Sequence, residues 1–60
     1  MTDLNTVRSF KKTINTLELS LNKYMDMDLS NNEVRSEMRV INNEISSQQD
    51  QLSSFLNNLN

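Results

Sequence analysis

Apolar residues recur along this chain in two ladders. The first runs Val7, Phe10, Ile14, Leu17, Leu21, Tyr24, in alternating steps of three and four. The second runs Val34, Met38, Ile41, Ile45, Gln48, Leu52, Phe55, Leu59, again in threes and fours, with one polar rung. A mean step near 3.5 residues places each ladder on one face of an α-helix, as a seam that packs against another helix. Between the ladders, Asp26-Met27-Asp28-Leu29-Ser30-Asn31-Asn32 breaks the phase.

Two architectures compete at that break. One continuous rod through Tyr24, Met27, Asn31 and Val34 needs a single phase slip of the kind long coiled coils tolerate. A stop and restart is better supported by local chemistry. Ser30 followed three residues later by Glu33 reads as a capping box, with Leu29 and Val34 placed as a hydrophobic staple. Asp26 and Asp28 suit a turn and oppose a helix C-terminus. The pattern therefore predicts an all-α, antiparallel two-helix hairpin forming one domain over residues 1–60; the alternative is a single long coiled-coil helix. The expected elements are a helix over 3–25, a turn over 26–30 and a helix over 31–58, with Thr2 or Asp3 capping the first. These would be rods of roughly 34 and 42 Å, the second overhanging the first.

Composition bears on how such a hairpin is held together. Sixty residues enclose little core, and no cysteine or histidine is present to add a disulfide or a structural zinc. Glycine and proline are also absent, which favours uninterrupted helices. The many Asn and Ser residues are mediocre helix formers, so helicity depends on burial. Stability must come from helix packing, from self-association or from another protein.

Charge divides by halves. Residues 1–25 carry Arg8, Lys11, Lys12 and Lys23 against Asp3 and Glu18, a net of +2; residues 26–60 carry Arg35 and Arg39 against six carboxylates, a net of −4. A basic and an acidic helix favour each other when folded back, although exposed pairs contribute only about 0–1 kcal/mol each.

The seam leaves some apolar residues over. With Val7, Ile14 and Leu21 at heptad position a, Leu19 falls at f, opposite the seam, and Leu4 and Met25 fall at e. With Met38 at a, Val40 falls at c and Leu56 at e. Leu19 and Val40 are the leading candidates for a second apolar surface. Residues 46–60 hold a single charge, Asp50, and close with Phe55, Leu56 and Leu59. Low charge with an aromatic residue is the composition of an interface core. Partner-binding residues are thus expected at Leu19, Val40, Phe55, Leu56 and Leu59. Met25, Met27 and Met38 with Tyr24 gather near the turn, where pliable side chains suit packing beneath it or a contact zone.

The chain offers catalysis little. It has no His, Cys or Gly-rich phosphate loop, and its carboxylate pairs Asp26/Asp28 and Glu33/Glu37 belong to a turn and a solvated helix face. No enzyme activity, cofactor or metal is expected. Arg8, Lys11 and Lys12 form one basic turn without interleaved aromatics, and a pI of 4.8 opposes phosphate binding. Nucleic acid is therefore not an expected partner, although in fold alone the chain resembles small hairpins that dimerise to grip RNA. No segment reaches the eighteen or more apolar residues of a membrane span, and residues 1–4 do not open a secretory signal. A cytoplasmic location is expected.

Residues Met1-Thr2-Asp3-Leu4, Thr6-Val7-Arg8-Ser9 and Leu17-Glu18-Leu19-Ser20-Leu21-Asn22-Lys23 resemble the first helix of the small YscE-type co-chaperones of type III secretion. The resemblance covers about twenty-five residues, differs in spacing between the last two blocks and does not extend to the second half. It implies a hairpin of similar length that braces a larger helical-repeat chaperone and helps keep a needle subunit soluble; it carries over no catalytic residue. Pattern and resemblance together predict a non-enzymatic protein-interaction module completed by a partner protein. The alternative is a self-assembling coiled coil or four-helix bundle of structural or regulatory role.

Overall fold

The computed structural model describes residues 2–59, with α1 at Thr2–Met25 and α2 at Asn32–Asn57. The two helices fold back on each other through a six-residue connection and pack along their length. The protein is an all-α antiparallel hairpin, a rod with extents of 47 × 16 × 10 Å. The continuous helix is excluded.

Both ladders face the interhelix seam. Every rung from Val7 to Tyr24 and from Val34 to Phe55 is buried or half-buried, while the residues between them are almost all exposed. Gln48, the polar rung, is half-buried, and its side-chain amide donates to Glu44 Oε1 at 3.2 Å, one turn back. That bond lets a polar group sit in an apolar seam without loss of a partner. Phe10 and Phe55 meet across the seam with ring centroids 6.3 Å apart and planes tilted by 42°. This is within the range of favourable offset aromatic contact. Leu59 departs from the expected pattern. It lies beyond the end of α2 and is 39% exposed, so it is not the last rung of the seam.

The turn is built differently from the expected capping box. Asp28 Oδ1 accepts from the Ser30 N–H at 3.0 Å and from the Ser30 hydroxyl at 2.8 Å, an Asx turn that takes Ser30 out of the capping role. The N-cap is Asn31, whose backbone is extended (φ −78°, ψ 121°) and whose Oδ1 accepts from the Glu33 N–H at 2.8 Å. Glu33 then falls at N2, so the reciprocal bond of a capping box is not formed. The staple fails for the same reason: moving the cap by one residue removes Leu29 from N′, and Leu29 is 52% exposed. In its place Arg35 reaches back, donating through Nη1 to the Leu29 carbonyl at 2.6 Å and through Nη2 to Asn32 Oδ1. A β-turn bond from Asn31 N–H to the Asp28 carbonyl (3.1 Å) closes the loop.

The remaining helix ends follow from the missing glycine. No described residue has positive φ, so neither helix ends in a left-handed cap. Instead, the Asn58 N–H is shared between the Ser54 and Phe55 carbonyls and the Leu59 N–H turns to Leu56, each at 3.2 Å. Asp3 lies in the first turn of α1, where a carboxylate opposes the positive end of the helix, and so is not its N-cap; the cap expected of Thr2 rests on a side chain outside those described. At 1.5 Å per residue the helices are about 36 and 39 Å long, so the anticipated overhang of α2 shrinks to about two residues.

Candidate interaction surface

A two-helix hairpin buries one stripe of each helix and leaves the rest in water. Among the described residues only Ile14 and Ile45, each 8% exposed, are buried. Both sit midway along their helices, where neighbours on either side and across the seam shield them best. Toward the ends the seam opens, and its other rungs are only half-covered. Two shallow, open hollows mark where it parts. One, of about 550 Å³, is lined by Asn5, Thr6, Ser9, Phe10, Thr13 and Gln48. The other, of about 410 Å³, lies toward the turn and includes Tyr24, Val34 and Glu37. The first has no charged group in its lining, and its hydroxyls have no histidine to activate them.

The sequence-predicted contact residues are distributed as follows. Leu19 and Val40 are the most exposed of the large apolar side chains, at 64% and 63%, as their f and c positions require. They stand on different helices, and neither lines either hollow. Phe55 is a seam residue held against Phe10 and is half-buried. Leu56 and Leu59 are exposed beside it, at 47% and 39%. The low-charge strip before them carries helical side-chain bonds, such as Gln51 Nε2 to Ser47 Oγ at 3.2 Å.

The structure adds four exposed apolar residues that the sequence-predicted set omits. Leu4 and Met25 lie at the two ends of α1, and Met27 and Leu29 lie in the turn; all are 48–59% exposed. Leu4 and Met25 were legible as heptad e positions, which flank a seam without joining it. Leu29 was masked by the expectation of a staple.

The Asp28 carboxyl is held below its ordinary 3.8, first by the Ser30 N–H and then by the Ser30 hydroxyl, opposed by desolvation. Among the described residues no group of three or more His, Cys, Asp and Glu side chains is placed to hold a metal ion. No described helix is long and apolar enough to cross a membrane. No family model, curated protein or solved structure matches this chain.

Proposed function

We propose that this chain is a non-enzymatic, cytoplasmic protein-interaction module, a helical hairpin whose seam is completed by a partner protein. The observation that carries this reading is the open seam. Among the described residues only Ile14 and Ile45 are buried and the other rungs are half-covered, a thin core for a chain in which each fully buried Ile contributes about 1.5–3 kcal/mol. Leu19 and Val40 supply apolar contact points outside the seam. The resemblance of residues 1–25 to the YscE-type co-chaperones gives the reading its most concrete form: a brace on a larger helical-repeat chaperone that helps keep a needle subunit soluble.

The test is Leu19→Ser and Val40→Ser, each followed by circular dichroism and by capture of the natural partner from the native host. Helical content is expected to stay near the parent value while capture weakens, because an apolar contact has been made polar. Undiminished capture by both variants would refute the assignment of those residues. A second reading, self-assembly into a structural or regulatory bundle, is favoured by the continuity of the half-covered seam along both helices. Light scattering on the purified chain separates the two.

A further inference from the structure

We infer that the e-flank of this hairpin is a self-complementary docking face, and that its occupant is a second copy of the chain turned end for end. The inference rests on the self-assembly reading and names the face and geometry that reading leaves open.

The four e positions of α1 are Leu4, Lys11, Glu18 and Met25, all exposed. Seven-residue spacing keeps them on one edge of the helix, about 10.5 Å apart. Read in either direction the row is apolar, charged, opposite charge, apolar. Two such rows laid antiparallel about a twofold axis between Ile14 and Asn15 set Leu4 against the second copy's Met25, and Lys11 against its Glu18. Each contact occurs twice, as a closed isologous interface requires.

The α2 row on the same flank is Arg35, Asn42, Gln49 and Leu56, also exposed. Its centre lies between Ile45 and Ser46, so one axis through the middle of the rod serves both helices. Asn42 then meets Gln49 of the other copy, a pairing of two amides, and no carboxylate faces another. Arg35 already has its guanidinium bound to Leu29 and Asn32 in the turn.

The opposite flank lacks this match. There the hollows open beside Thr6 and Thr13 at one end and Glu37 at the other. A second copy on that side would enclose Glu37 and Glu44 from both chains. The corresponding α1 positions, Thr6, Thr13 and Ser20, bring no cation to offset them.

The ends and the area agree. The antiparallel fold puts Leu4, Leu56 and Leu59 at one end of the 47 Å rod and Met25, Met27 and Leu29 at the other, all exposed. Reversal of the second copy lays each cluster on its counterpart. The chain exposes 4811 Å², whereas a compact monomer of its mass would expose about 4,000 Å². The surplus, about 800 Å², reflects the elongated shape of the rod and is comparable to the area one partner gives to a standard stable interface.

Charge reversal tests the face directly. By light scattering and sedimentation, the parent is expected to dimerise, and Lys11→Glu or Glu18→Lys to weaken the dimer about tenfold in Kd, because each places like charges together twice. The double variant Lys11→Glu/Glu18→Lys restores the alternation and is expected to recover parental affinity, with circular dichroism showing all variants equally helical. Because the chain has no cysteine, mixing Leu4→Cys with Met25→Cys adds an independent readout: oxidation should yield the mixed crosslinked dimer in preference to either same-site dimer. A dimer indifferent to the single changes, or not rescued by the double change, overturns this face and leaves self-assembly standing. Crosslinking chiefly through Leu4→Cys to itself overturns the end-for-end geometry. A parent that stays monomeric at all concentrations overturns both.

Discussion

Asn31→Ala and Ser30→Ala make a paired experiment on the start of α2. Asn31 Oδ1 satisfies one of the four N–H groups that a helix start leaves without an internal partner, through its 2.8 Å bond to Glu33. Alanine removes that acceptor and leaves the extended cap backbone unsupported. The loss is about 1 kcal/mol, within the usual 0.5–2 kcal/mol for an N-cap. For a chain of sixty residues, whose whole stability is about 3–9 kcal/mol, that is a sizeable fraction. It corresponds to a melting temperature about 4–8 °C lower. Ser30→Ala removes only a hydroxyl that donates to the exposed Asp28 carboxylate, while the Ser30 N–H keeps its own bond to the same oxygen. Its melting temperature is expected to fall by clearly less. The assay is thermal unfolding by circular dichroism at one fixed protein concentration, since association would shift the midpoint by mass action. A Ser30 variant that melts as low as the Asn31 variant, or lower, would refute Asn31 as the cap and reinstate the Ser30–Glu33 capping box.

Truncation of either buried residue, Ile14→Ala or Ile45→Ala, is expected to cost about 2–5 kcal/mol and to remove most of the helical signal at room temperature; Leu19→Ala, checked in the same melts, should stay within about 0.5 kcal/mol of the parent. The Phe10–Phe55 pair should show a coupling of about 0.5–1.5 kcal/mol in a double-mutant cycle with leucine at each position, and a null coupling would mean the rings contribute only their separate areas. Because the folded pKa of Asp28 is depressed, its contribution to stability is present above the ordinary 3.8 and is lost as pH falls through the lower folded value. Melts taken between about pH 5 and pH 2 should therefore show the parent losing its stability relative to Asp28→Asn, whose side-chain oxygen accepts the same bonds without titrating.

The sequence by itself determined the helices and their seam; it favoured the fold-back over a continuous rod, and the structure decided it. Alternation of threes and fours admits one reading, a helix with an apolar stripe, whereas a continuous helix through residues 26–32 needs a phase slip and buries Asn31. The ladder positions from Val7 to Phe55 were legible for that reason: helical periodicity is local, and local geometry is written in spacing. The exposure of Leu19 and Val40 was legible by the same arithmetic. The cap was not. Ser30, Asn31 and Asn32 can each accept a hydrogen bond, and the choice among them depended on Asp28 reaching forward to claim Ser30 and on Arg35 reaching back across the turn. Those are competing bonds between residues of similar propensity, separated by little energy, and only the folded geometry resolved them. Leu59 was misplaced because the ladder ran on after the helix had ended at Asn57; without glycine to enforce a stop, spacing alone does not show where the last turn gives out. The tertiary structure also decided how little the seam covers. Periodicity names the residues that face the partner helix, but a single partner helix shields only the middle of the stripe, and so the rungs on either side of Ile14 and Ile45 remain part-open to solvent.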